Sequence, residues 1–337
     1  MVTACIATAI HMYRLWNRGV CPIFAIAVIL GSTGCAHTPQ TSYAYAEFNV
    51  SSITSGTKGN VEPGNRFQLG SLAKYACTIA ALRLADRETL SLDGEVRHLL
   101  PELESDGFGR VTLRQLLSNR SGLADGLMPA ISADMASVTS VKTTAEAVRL
   151  YVPSELAFEP GTRFSYDLVN WILVQAIIER AHGASLESAL AELVFEPAAL
   201  ETMAVLNSTG EYELQTPATP ANPIPSFLQC AGGLAGMPSD LIGLQRFVHG
   251  GGLSPQSWAA LQTITTPEEE YTIGGRFRTV EGRLLDWQTG SNGAYKSLSV
   301  YDPHRKIGFA ATTSQDDWTA IEQARDEWLR KTQANAR

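Results

Sequence analysis

Apolar and polar positions change their rhythm twice along the chain. Residues 42–50 read as a strand, and 52–67 read as turn and loop. From about residue 71 to 265 the patterns are mostly helical, broken by Pro and Gly, beginning with an apolar helix over Tyr75 to Asp86. Four strand-like runs follow at 271–280, 282–290, 295–302 and 306–314, separated by turn signals such as Asp302-Pro303. Residues 317–331 close the chain as an amphipathic helix with basic residues in its last turn. An early strand, late strands and a helical middle imply one antiparallel sheet built from both chain ends. Helices flank this sheet, and a mostly helical segment, roughly 80–265, is inserted, an α/β (α+β) architecture.

Length changes this picture little: 337 residues bury a large core as one or two domains, and 45% hydrophobic content is ordinary for a globular chain. The net charge is -8 with no Lys/Arg run, which excludes nucleic acid as an expected partner. The first 35 residues do not read as folded structure. Arg14 and Arg18 precede an apolar run, Val20 to Leu30, too short for a membrane span and suited to an export signal. The run ends in Ser32-Thr-Gly-Cys35, which resembles a bacterial lipoprotein cleavage site with Cys35 as the lipidated residue; Ser32 stands where a leucine is usual. Ordinary signal cleavage or a retained N-terminal anchor are the alternatives, and Met12 is a second candidate start. A domain at 36–337 is therefore expected outside the cytoplasm, in the periplasm, touching the membrane only through a lipid. Without the first 35 residues the chain carries 24 Lys and Arg against 34 Asp and Glu. Export makes a Cys77–Cys230 bridge chemically possible, but one cysteine inside a helix and one before a Gly-Gly loop are expected as two buried thiols. No C-x-x-C or His/Cys cluster suggests a metal, no cofactor is implied, and His98 and His182 read as structural.

The chemistry lies at the mouth of the 75–86 helix. In Phe67-Gln-Leu-Gly-Ser-Leu-Ala-Lys74, Ser71 and Lys74 stand three residues apart, on one face and about one turn apart. A serine hydroxyl needs a base to become a nucleophile, and a lysine serves once burial lowers its proton affinity. A single S-x-x-K is a weak signal; a plain helix cap and a solvated lysine would give it too. No G-x-S-x-G pentapeptide is present, which argues against an α/β-hydrolase triad.

Several ordered blocks make the signal specific. "NRFQLGSLAKYACTIAALRLAD", "LSLDGEVRHLLPEL", "VTLRQLLSNRSGL", "FEPGTRFSYDLVNWILVQAIIERAHGASLESAL" and "CAGGLAGMPSDLIGLQRFV" resemble, in order, blocks of the class C serine β-lactamases and their relatives, the D-Ala-D-Ala carboxypeptidases and β-lactamase-fold esterases. The resemblance covers roughly residues 43 to 330. It implies acyl transfer by Ser71 with Lys74 and Tyr166, the tyrosine of a Y-x-N motif. The asparagine position holds Leu168, and the amide has moved to Asn170. A loop through this stretch would make Leu168 an apolar pocket wall, whereas a helix would let Asn170 point back toward Lys74; the loop is the preferred expectation. The third motif falls on Gln288-Thr289-Gly290 by alignment with "SVYDP", with Ser291-Asn292-Gly293 as the alternative register. In the first register, Gln288 replaces a cation and the amides of Ser71 and Ser291 form an oxyanion hole. The stretch before Ser71 is short for the family, lacking a helix and one strand, which leaves the sheet edge undefined.

Expected substrates are small esters, amides or β-lactams, or a peptidoglycan-like peptide. Loss of the cation weakens carboxylate recognition by about 1.5–3 kcal/mol and so disfavours efficient β-lactam turnover. The alternative is a catalytically weakened, penicillin-binding-like protein of the cell envelope.

Overall fold

The computed structural model describes residues 41–102, 107–207 and 212–334. The expected export segment, with Cys35 and its possible lipid, lies outside the described residues. Strands β1 (Tyr43–Asn49), β2 (Ser52–Lys58), β3 (Phe67–Gln68), β4 (Ala204–Val205) and β5 (Leu234–Gly236) precede four late strands. These are β6 (Arg276–Val280), β7 (Arg283–Asn292), β8 (Tyr295–Asp302) and β9 (Ile307–Thr313). The main sheet runs β2-β1-β9-β8-β7-β6 with every neighbour antiparallel, so both chain ends build it as the sequence implies. A second, small sheet, β3-β5-β4, was not anticipated. Its strands have two or three residues each, too short to leave a periodic pattern.

One expectation is corrected at the sheet edge. Ser52–Lys58, read from sequence as loop, is an edge strand paired with β1 from Asn49↔Ser52 to Tyr43↔Lys58. It carries Ser, Thr, Gly and Lys and buries no face, so it shows no apolar alternation. A Cβ on Gly56 would stand 2.6 Å from the outer end of the Tyr45 ring, so a larger residue there would require that half-buried side chain to shift.

Four helices matter most for the site: α1 (Leu72–Asp86), α2 (Leu168–His182), α3 (Pro238–Phe247) and α4 (Thr319–Ala334). Twelve of the fifteen α1 residues are buried, so the helix is apolar on nearly all sides and runs through the interior. Strand alternation splits the core around the main sheet. Ala46, Phe48, Phe277 and Tyr301 join α1 and α3 in the large cluster. Leu285, Trp287, Leu298 and Phe309 turn the other way and pack on Ile321, Trp328 and Leu329 of α4. Each such fully buried side chain contributes about 1.5–3 kcal/mol.

The expectation of two free thiols is also corrected. Cys77 of α1 and Cys230 are joined in a disulfide across 153 residues, with their Cα atoms 5.7 Å apart. The short helix Gln229–Gly232 packs against α1, a proximity that separation along the chain conceals.

Candidate active site

Ser71 is the N-cap residue of α1, and the strand β7 lies directly against it. A Cβ on Gly290 would collide with the Leu69 carbonyl and stand 2.9 Å from the Ser71 nitrogen. A Cβ on Gly70, which has φ +53°, would run into the Ser291 backbone. Two glycines thus let the backbones of Ser71 and Ser291 meet. Ser297 Oγ on β8 adds a 2.8 Å bond to the Leu69 carbonyl. Gly290, not Gly293, faces the Ser71 amide; Gly293 lies past β7 at φ +55°, and Asn292 donates 3.0 Å to the Asn222 carbonyl. Thr289 is half-buried on β7, opposite Leu298.

Lys74 Nζ stands 3.1 Å from Ser71 Oγ and donates to the Ala231 carbonyl. Its side chain is 1% exposed, and the ring centroids of Tyr166 and Trp171 lie 5.1 and 5.6 Å from Nζ. Burial lowers its pKa to about 7. Burial raises the Tyr166 phenol above the ordinary value, while the neighbouring Ser71 hydroxyl and the Arg276 charge oppose the shift. The two groups are thereby separated in role: at neutral pH the lysine is readily neutral and the tyrosine stays protonated. Phe164 and Tyr271 box in Tyr166, with Tyr271 meeting it edge-on at 6.2 Å. Beside it, burial pushes the half-buried Asp167 carboxyl up, a bond from Ser165 opposes this, and Asp125 adds repulsion.

The loop expected after Tyr166 ends at Asp167. Helix α2 begins at Leu168, three residues before the apolar run that signals it in sequence. Leu168 is half-buried and packs on the large core cluster. Asn170 is helical, yet its amide does not bond Lys74. It accepts from Ser121 Oγ and donates to Asp167 O at 3.2 Å and Asn119 Oδ1 at 3.4 Å. The neighbouring turn, "SNRSG", thereby anchors the tyrosine segment. Asn119 Oδ1 takes Trp171 Nε1 at 3.2 Å, its carbonyl takes Ser165 N at 2.8 Å, and Gly161 N donates 2.7 Å to Arg120 O.

Gln288 is 4% exposed and turned inward, donating 2.7 Å to Asp286 Oδ1 and 3.3 Å to the Arg276 carbonyl. Asp286 is fully buried; its Oδ2 accepts from Tyr75 OH at 2.6 Å and His249 Nε2 at 2.9 Å. Trp258 Nε1 donates to His249 Nδ1 at 3.3 Å, which assigns the imidazole proton to Nε2. Nothing in the sequence signals this network, since Tyr75 and Asp286 are 211 residues apart and neither Asp286 nor His249 belongs to a motif. His182, read as structural, bonds Glu192 at 2.9 Å, and His98 is exposed. Among the described residues, no group of three or more His, Cys, Asp or Glu is placed to hold a metal ion. No helix among them is long and apolar enough to cross a membrane.

Several known proteins are similar to this chain, some over part of its sequence and others in fold. A D-aminopeptidase of Cereibacter sphaeroides is 31% identical over 151 residues, covering 44% of this chain and 28% of the relative. The esterase EstB of Burkholderia gladioli is 32% identical over 142 residues, covering 39% and 36%. The aligned stretch spans well under half the length of these curated relatives. Among solved structures, a D-stereospecific amidohydrolase from Streptomyces sp. superposes with a TM-score of 0.70 at 22% identity, covering 82% of this chain and 89% of that one. A penicillin-binding protein from Bacillus halodurans gives 0.73 at 18% identity, covering 85% and 95%. At such identities these two likenesses speak for the fold alone. The profile described as Beta-lactamase matches residues 39–334, nearly the whole chain, and the chain belongs to the β-lactamase family.

Proposed function

We propose that the chain is a serine hydrolase that cleaves esters or amides through an acyl-enzyme on Ser71. The observation that carries the reading is Lys74 Nζ, 3.1 Å from Ser71 Oγ, with a pKa of about 7. Neutral Lys74 takes the Ser71 proton as Oγ attacks the carbonyl. The tetrahedral oxyanion rests on the amides of Ser71 and Ser291, each worth roughly 3–4 kcal/mol of barrier. The proton returns through the Tyr166 hydroxyl to the leaving group, and water, deprotonated by Lys74, releases the acid. Base duty falls to Lys74 because the Tyr166 phenol holds its proton more tightly than an ordinary tyrosine.

Gln288, locked on Asp286, supplies no cation for a substrate carboxylate. This supports neutral esters and amides over β-lactams. The D-aminopeptidase and esterase relatives fit such a substrate class. The export signal and Cys35 support a periplasmic lipoprotein; loss of palmitate incorporation in Cys35→Ala tests that part. Hydrolysis of p-nitrophenyl esters and fluorophosphonate labelling test the chemistry. Both are expected to vanish in Ser71→Ala with the fold retained. Near-native turnover in that variant would sink the assignment. Absence of labelling in the native chain would instead favour a weakened, penicillin-binding-like envelope protein.

A further inference from the structure

Lys74 has few oxygen partners. Among the described residues its Nζ bonds only Ser71 Oγ and the Ala231 carbonyl. Leu168 offers no polar group, and the Asn170 amide is engaged elsewhere. The geometry of the lysine therefore depends on how firmly Ala231 is held. Two devices hold it. Gln175 of α2 accepts Cys230 N at 3.2 Å and donates to Ser226 O at 2.8 Å, fixing the segment from one side. From the other side Cys230, the residue before Ala231, is bonded to Cys77. Cys77 lies three residues beyond Lys74, on the same face of α1, one turn deeper. Both cysteines are fully buried.

We propose that the Cys77–Cys230 bridge is a positioning device for Lys74: it clamps Gln229–Gly232 onto α1 and so keeps the Ala231 carbonyl on the lysine amine. The inference rests on Lys74 being the base. Without the bridge the Ala231 carbonyl gains freedom and water reaches the amine. Water solvates the ammonium form better than the neutral form, so the proton affinity of Lys74 rises. The acid limb of kcat/KM then moves to higher pH. A bridge that merely staples the fold would lower Tm and leave the limb in place.

The test is the pH profile of p-nitrophenyl ester hydrolysis in the full chain, comparing native protein with Cys77→Ala/Cys230→Ala. The expected shift is about 0.5–1 pH unit upward, a loss of roughly 3–10-fold in kcat/KM at pH 6.5, with the plateau near pH 9.5 within about twofold. Cys77→Val/Cys230→Ala, which fills part of the lost volume, repeats the measurement should the first variant fail to fold. Native protein reduced with a phosphine and checked by mass serves if both fail. An unmoved limb in any folded, unbridged form overturns the proposal, whatever happens to Tm. Substantial turnover by bridged Lys74→Ala would overturn the base assignment instead, so the two failures are distinguishable.

Discussion

Two buried ionisable groups meet neighbouring positions of α1, Lys74 itself and Asp286, which Tyr75 holds, and they are treated in opposite ways. Lys74 is 1% exposed with one backbone carbonyl, one serine hydroxyl and two aromatic faces around it. Next to it, Tyr75 donates to Asp286, a carboxylate that is 0% exposed and also receives His249 and Gln288. The lysine lacks a carboxylate partner, so burial is answered by a lowered proton affinity, and the group becomes a base. The aspartate has three donors, so its buried oxygens are all engaged, and it ties α1, β7 and the segment around His249 together. Burial alone therefore does not make a group reactive; the number of partners left to it does.

The sharpest way to break this contrast is to remove the lysine. Lys74→Met is expected to lower kcat/KM for p-nitrophenyl esters by about 10²–10⁴-fold. The same change should stabilise the fold. The folded lysine releases its proton near pH 7 and the unfolded one near 10.5. The penalty of a buried charge is full below pH 7 and disappears as pH rises to 10.5. Thermal denaturation should give Lys74→Met an advantage of about 2–4 kcal/mol at pH 7 that vanishes near pH 10.5. Native activity should rise with pH through about 7, following the neutral lysine. An advantage that does not depend on pH would mean that the lysine is not the desolvated group.

The opposite response is expected from the aspartate. Asp286→Ala strands the donors of Tyr75, His249 and Gln288 and should cost on the order of 3 kcal/mol in urea unfolding. Activity of the folded fraction should stay within about tenfold of native. A stable but inactive Asp286→Ala would show that the anion belongs to the chemistry after all.

Smaller effects come from the supporting amides. Asn170→Ala removes three hydrogen bonds at the foot of the Tyr166 segment, so Tm should drop, equivalent to about 1–3 kcal/mol, with a lesser change in kcat. A large activity loss at unchanged Tm would assign Asn170 a direct role. The smallest change is expected from Gln288→Lys. Its ammonium would pair with Asp286 rather than with substrate, so selectivity for carboxylate-bearing β-lactams over neutral esters should move by less than about threefold. A tenfold gain would show that position 288 reaches the substrate.

Residue order along the chain was enough to reveal both the helix that carries Ser71 and Lys74 and the sheet from both ends. Spacing three along a helix fixes a shared face, and alternation in a strand fixes which residues enter the core. Tyr166 is named from sequence only by the resemblance of its "PGTRFSY" block to the family's, not by any local periodicity. The edge strand β2 was not legible, because nothing along it is buried, and the start of α2 was misplaced because Leu168 and Asn170 precede its apolar run.

What only the tertiary structure decided is the company each group keeps. The Cys77–Cys230 bond, the Ala231 carbonyl on Lys74 and the inward turn of Gln288 onto Asp286 join residues far apart in the chain. Local pattern sets conformation, whereas pKa, hydrogen-bond satisfaction and disulfide pairing depend on distances in space. Those distances come from packing α1 between β7 and the short Gln229–Gly232 helix, an arrangement that no window of sequence contains.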